Sequence, residues 1–366
     1  MTTNEEDFIN GETNDHYRGF DALQFTGTPK LSPDGTAVVY VLTEMNSEKN
    51  GYQSSIYLGK EDGDPLKLTN SYIKDRLIKD QSPCWSPDGA SIFFLSNRSE
   101  KNQVWQLPMS GGEARQMTHY DHDIKGFKLS PDGRFLVCQL QIPDKNPIEE
   151  ENEDVTIVER LRYIANGHGF IKETSHLDLF DLDDKTSKRL TDGAFNAASP
   201  VFTPDGKALV YLKSREEPEN NGYYYDIYLL DLSTGEENLL YKGKGNVSQP
   251  QVSPDGKWVS FVGHEDGEIS PKNNGIWILS IVGSNARCLT KNWDRPVGNY
   301  IGTDANFDAG GVSYQWLANS QALVFMTTVG GDCLIKQVDV NGNLFDAIAV
   351  KNAVITSFDQ VNHCFT

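Results

Sequence analysis

Residues 201–212, VFTPDGKALVYL, decide the fold. At the centre stand Thr203, Pro204, Asp205 and Gly206. Pro presets the φ that the first turn position needs. Asp can bond its own backbone two residues on, and Gly accepts a positive φ at the exit. The stretch therefore reads as strand, tight turn, strand. The same tetrapeptide, with Ser for Thr, begins at Ser32, Ser86, Ser130 and Ser253. Along the chain the five copies are spaced 54, 44, 73 and 50 residues apart. A sixth, decayed copy is QWLANSQALVFM at 315–326, with Asn319 where Asp205 stands.

Each copy leads into a segment rich in β-branched and aromatic residues: TAVVYVLT, ASIFFLSN, RFLVCQLQ, KALVYLKS, KWVSFVGH and QALVFMTT. Most are nearly continuous apolar runs, the pattern of strands covered on both faces. A further strand follows in each unit, such as QVWQLPM or DIYLLDL, then a Gly- or Asp-containing turn. A last strand often ends in Leu-Thr or Met-Thr, as in LKLT, RQMT, KRLT and RCLT. With the strand before each Pro-Asp-Gly turn, this makes four strands per unit. The expected fold is an all-β propeller of four-stranded antiparallel blades, six complete, plus the first strand of a seventh in AVITSFDQV (353–361). Solenoid coils are shorter than these units, and sandwiches do not repeat one turn motif six times. The 366 residues are also too many for most single-core domains, whereas radial repetition lets each module bury both faces against neighbours.

The period breaks twice. An insertion of about 141–176 begins acidic and Pro-containing, as an exposed loop would. It continues as VTIVERLRYI, which fits either an extended strand pair or a short helix. The second break, about 291–314, is the Gly-, Asp- and Asn-rich connection KNWDRPVGNYIGTDANFDAGGVSY. Long connections of this kind are often functional. Residues 1–17 are polar and acidic and are expected to pack loosely, leaving 18–366 as the propeller domain.

The formal net charge is −19. Such a surface repels phosphate backbones and anionic lipid, so neither nucleic acid nor membrane is expected as a partner. No apolar run approaches the roughly 20 residues of a membrane span. The opening MTTNEEDFINGETNDHYRGF has neither the basic nor the apolar region of a secretory signal, so a cytoplasmic location is expected. Five scattered cysteines, Cys84, Cys138, Cys288, Cys333 and Cys364, read as reduced and mostly buried thiols.

Motifs that carry chemistry are missing. No Gly-x-Ser-x-Gly elbow occurs, and no alternating strand–helix pattern is there to hold one. Walker loops, dinucleotide fingerprints and cysteine zinc spacings are absent as well, so no cofactor and no metal are expected. His119 and His122 in THYDHDIKG could ligate a metal with a nearby Asp, but a polar loop between blades explains them as well. His168 lies between two glycines, which suits a backbone turn. Glu149, Glu150 and Glu151 form a charge run that could hold a substrate amino terminus or be merely solvated. The turn aspartates recur too regularly to be catalytic.

Four passages resemble the propeller domain of the prolyl oligopeptidase family, in its acylaminoacyl-peptidase-like branch: FDALQFTGTPKLSPDGTAVVYV; RLRYIANGHGF with the following HLDLFDLDDKTSKRLTDGAFNAASPVFTPDGKALVYLKSR; SFVGHEDGEISPKNNGIWIL; and RCLTKNWDRPVGNYIGTDANF. The last is the most distinctive. The resemblance spans about 18–361 and implies a propeller, seven-bladed as a rule, capping an α/β-hydrolase domain that carries Ser, Asp and His. No catalytic position carries over, because the chain ends inside the last blade of that pattern. It is therefore expected to be a fragment, a truncated product or a stand-alone relic, inactive alone. The implied partners are a hydrolase domain or homologous chain and short peptides. Glu149, Glu150, Arg295, Asn299, Tyr300 and Asp304 are candidates for contact with substrate or domain. An unfinished seventh blade would leave an unpaired edge able to recruit a second copy. The rival reading is a TolB-like interaction module, which six blades favour.

Overall fold

The computed structural model describes residues 22–366 apart from 71, 74–75, 145–155, 159–162, 166–168, 216–223, 268–271, 284, 302–313, 349–353 and 362–363. Six four-stranded antiparallel sheets follow one another along the chain, and the described residues hold no helix. Blade 1 comprises Gln24–Leu31, Ala37–Asn46, Gly51–Lys60 and Leu66–Lys67. Blade 2 comprises Asp80–Trp85, Ser91–Ser99, Lys101–Pro108 and Arg115–Gln116. Blade 3 comprises Ile124–Leu129, Phe135–Pro143, Glu173–Asp181 and Thr186–Arg189. Blade 4 comprises Ala197–Phe202, Ala208–Ser214, Tyr225–Asp231 and Glu237–Tyr241. Blade 5 comprises Val247–Val252, Trp258–Gly263, Gly275–Ser280 and Arg287–Cys288. Blade 6, grown from the decayed repeat, comprises Tyr314–Trp316, Ala322–Val329, Asp332–Asp339 and Leu344–Ile348. Together they form a six-bladed propeller.

The apolar second strands explain why the blades stack. Side chains alternate faces along a strand, so Ile92 and Phe94 pack with Val39 and Ile56 of blade 1. Their neighbours Phe93 and Leu95 pack with Ile124 and Leu136 of blade 3. The alternation repeats around the ring. Leu209 and Tyr211 face blade 3, Val210 and Leu212 face blade 5, and Leu323 and Phe325 face blade 5 from blade 6.

The repeated turn is a closed hydrogen-bond unit. Ser32 Oγ donates to Asp34 Oδ1 at 2.5 Å and accepts the Ala37 N–H at 3.0 Å, while Asp34 Oδ1 also accepts the Thr36 N–H at 3.1 Å. Thr203 and Asp205 repeat it, at 2.6 Å from hydroxyl to carboxylate. In the decayed copy Asn319 Oδ1 still accepts the Gln321 N–H at 2.9 Å, and Ser320 takes the positive φ of the glycine, at 58°. The Leu-Thr endings have a matching purpose. The hydroxyls of Thr69, Thr118, Thr191 and Thr290 accept the N–H of Ile56, Val104, Leu177 and Ile276, each at 2.9–3.0 Å.

The turns also touch one another. A methyl group on Gly89 would lie 3.8 Å from Pro33 Cδ, on Gly133 3.3 Å from Pro87 Cδ, on Gly206 3.7 Å from Pro131 Cδ, and on Gly256 3.8 Å from Pro204 Cδ. Each glycine thus abuts the proline of the preceding turn, and the turns rim one face of the ring. Where blade 1 needs a predecessor, a methyl group on Gly35 would lie 3.7 Å from Cys364 Sγ instead.

The chain end accordingly stands where a seventh unit would start. Val354 bridges Cys333 in parallel, and Gln360–Val361 pairs with Cys364–Phe365 as a small hairpin rather than as one long inner strand. Phe358 is buried against Val324, Met326 and Ile335 on the outer face of blade 6. The insertion ends in another hairpin, Ile164–Ala165 with Gly169–Phe170, so this part of VTIVERLRYI and its continuation is extended.

Candidate functional site

The first strand of each blade lies at the inner edge of its sheet and lines the axis of the ring. Four of these strands share a device. Thr28, Ser82, Ser199 and Gln249 adopt positive φ of 44°, 54°, 51° and 50°, each directly before a proline. At each, the pairing with the second strand shifts register, between Gly27 and Lys30, Gln81 and Cys84, Ala198 and Val201, and Ser248 and Gln251. Non-glycine residues seldom adopt this conformation, and bulges of this type re-aim the strand. The effect is to interrupt the regular pairing of the inner strand at the same point in four blades.

Two residues before each turn Ser or Thr stand Lys30, Cys84, Lys128, Val201 and Gln251, with Gln315 in the decayed copy. Lys30, Cys84, Lys128 and Asp359 feel one another's charge although they come from blades 1, 2 and 3 and the chain end. Only the centre of a ring brings such segments together. Asp359 is nearly buried and accepts three donors: Leu31 N–H at 2.9 Å, Lys30 Nζ at 3.1 Å and Gln315 Nε2 at 2.5 Å. Lys128 is exposed to solvent, at the same distance from its turn as Lys30 and Cys84. Its basicity is lowered, first by loss of water around it and then by Lys30. Burial likewise raises the Cys84 thiol.

The opposite face, where first strands begin, carries both long breaks in the repeat. Trp293 Nε1 donates to Thr327 Oγ1 at 3.1 Å and Thr327 Oγ1 to the Pro296 carbonyl at 2.9 Å, which ties the second break to blade 6. Arg295 is exposed and turned back on the Asp294 carbonyl. Asn299 Oδ1 accepts the Ile301 N–H at 2.9 Å, so it shapes its own loop. Tyr300 is 59% exposed, and its hydroxyl accepts Asn274 Nδ2 at 3.2 Å. Beside it a cavity of about 700 Å³ is lined by His264, Asp266, Trp277, Arg287, Trp293 and Asp294, among others. A smaller one, about 300 Å³, lies between blades 1 and 2 and includes Thr28, Ser82, Tyr52 and Lys79. Of the residues singled out in the sequence, Arg295, Asn299 and Tyr300 thus share one loop on this face. Glu149, Glu150, Glu151, Asp304 and His168 lie outside the described residues.

His119 lines a third cavity with Tyr120, Phe180 and Lys185, between blades 2 and 3. A hydroxyl does meet an imidazole, Thr191 Oγ1 and His176 Nδ1 at 3.4 Å. Both are buried, the hydroxyl already accepts the Leu177 N–H, and burial lowers the His176 basicity. This pair braces blade 3. Sequence reading missed the lysines of the channel, although their fixed distance from the turns was there to be read.

Residues 19–169 match the family described as the TolB beta propeller domain. The chain is 25% identical over 339 residues, 90% of its length, to a protein of Bacillus subtilis (strain 168) named uncharacterized peptidase YuxL, of which it covers 51%. It is similar in fold to Pyrococcus horikoshii acylaminoacyl peptidase, with a TM-score of 0.69 at 19% identity, over 94% of this chain and 49% of that one. It is similar also to the β-propeller domain of the trilobed protease of Pyrococcus furiosus, with a TM-score of 0.60 at 16% identity, over 93% and 88%. The chain thus spans about half the length of the curated peptidase it matches over most of its own length.

Proposed function

From a propeller related both to peptidase propeller domains and to TolB, we propose that this chain is the non-catalytic access filter of a serine peptidase that acts on short peptides. The observation that carries the reading is similarity to a peptidase along 90% of this chain, over about half of that protein. The propeller would cover a separate α/β-hydrolase domain. Acyl transfer would run through a serine of that domain, and the ring would admit only flexible, narrow substrates. Its exposed contact loop is the segment with Arg295 and Tyr300, on the face where the first strands begin. The test combines the purified chain with the separately expressed hydrolase portion of the peptidase relative. Binding is expected, together with a selective loss of activity on long peptides relative to dipeptides and tripeptides. No association, or equal inhibition at every length, would defeat the reading.

A second reading is favoured by the TolB domain match over 19–169. Here the propeller is a protein-interaction module with no hydrolase partner. Capture of a hydrolase-free protein complex from the native source, with no peptidase activity co-purifying, would select it.

A further inference from the structure

The geometry points to a carboxylate-binding site inside the central channel, built from Lys128 and Lys30, that receives a single negative charge such as the C-terminal carboxylate of a short peptide. Both lysines sit two residues before a turn serine, in blades 3 and 1, so the repeat itself sets them at one level of the axis. Cys84 of blade 2 holds the same level between them. Lys30 is paired with Asp359 at 3.1 Å. Asp359 is already occupied by the Leu31 N–H and by Gln315, which leaves it little capacity to serve a second ammonium. The Lys128 ammonium has neither an ion pair nor a hydrogen bond to any described residue.

An exposed lysine on an outer surface needs no partner, because water solvates it. Lys128 is exposed as well, but it lies within reach of the like charge of Lys30, and the one carboxylate at this level, Asp359, is already paired with Lys30. With two ammonium groups and one carboxylate, this level of the channel has a net charge of +1, within a chain of net −19. A univalent carboxylate matches that surplus, whereas a phosphate dianion would leave charge uncompensated. Two residues earlier in these first strands the backbone bulges, at Thr28 in blade 1 and Ser82 in blade 2. Charge-assisted hydrogen bonds to an ammonium are the strong kind.

Only the choice of a peptide as the source of the carboxylate rests on the proposed function; the anion site stands without it. The test uses the full chain with its lysines reductively ¹³C-methylated, followed by NMR. N-acetyl-Gly-Gly should shift the Lys128 signal and bind at least tenfold more weakly to Lys128→Met, while Lys128→Arg should retain binding. The C-terminal amide of the same peptide should not bind. Acetate binding without peptide binding would keep the site and remove the peptide reading. Equal binding of the amide, unchanged binding by Lys128→Met with an unaltered melting curve, or tighter binding of inorganic phosphate than of carboxylate would each overturn the inference.

Discussion

The carboxylate of Asp359 accepts the backbone N–H of Leu31 at 2.9 Å across 328 residues of sequence. Through Gln315 and Lys30 the same carboxylate joins blade 6 to blade 1. It fastens the ring at the place where the repeat runs out. Replacing it by Ala strips three donors of their acceptor in a largely buried site. Asp359→Ala is expected to lower stability by about 2–4 kcal/mol in urea unfolding, since a buried partner left unsatisfied costs about 1–3 kcal/mol. Asp359→Asn should lose less, because one oxygen remains. An Ala variant as stable as the parent would mean that the chain end contributes nothing to closure.

The propeller was legible because one turn, Ser/Thr-Pro-Asp-Gly, needs specific residues at every position. Even its decayed copy kept Asn319 and the apolar run Ala322–Met326. The axial lining was partly legible. Pro29, Pro83, Pro200 and Pro250 each stand three residues before a turn Ser or Thr. That spacing marks the bulges, but no local rule announces a left-handed residue before a proline. What sequence could not provide was the closure. The meeting of Asp359 with Leu31, and of Cys364 with Gly35, depends on how much angle six blades leave open. The candidate contact loop on the opposite face was flagged by loop length, composition and family resemblance, and of its residues Arg295, Asn299 and Tyr300 lie among the described ones.

Gly133 shows what the interlocked turns demand. Its φ is +76°, and an added methyl group would stand 3.3 Å from Pro87 Cδ. Gly133→Ala is expected to cost about 1–2 kcal/mol, from the left-handed backbone alone. Gly126→Ala, in the first strand of the same blade, meets nothing within 4 Å and has no such φ. It should be neutral or stabilise by about 0.4–1 kcal/mol through the unfolded chain. Equal losses at both glycines would refute the turn-specific argument.

The thiols should separate by accessibility. Cys138 and Cys333 are buried, Cys84 and Cys288 half-buried, and Cys364 exposed. Desolvation also raises the pKa of the first four, which keeps them protonated and unreactive. In the native protein at pH 8 a disulfide reagent should consume one thiol quickly, and all five after unfolding. Cys364→Ser should abolish the fast phase. Two or more fast equivalents in the native state would show that the blades open far more readily than their packing suggests.

Acid should loosen the ring through its turns. Asp34, Asp88, Asp132, Asp205 and Asp255 are each held below their ordinary 3.8, first by the hydroxyl of the neighbouring Ser or Thr. Asp231, in another hairpin, is drawn down to about 2 by Ser233 and nearby backbone N–H groups. A carboxyl whose folded pKa lies below its unfolded value stabilises the protein above the unfolded value. That contribution disappears as pH falls through the folded value. The melting temperature should therefore hold down to about pH 4 and drop between about pH 4 and pH 2. These groups are solvent-exposed, so each contributes modestly and the effect is their sum. Asp205→Asn retains the turn acceptor, as Asn319 does in blade 6. The variant should be less stable than the parent at pH 6, and the difference should narrow as pH falls below the ordinary carboxylate value of 3.8. A gap that stays constant across that range would show that the charge on Asp205 has no part in holding the turn.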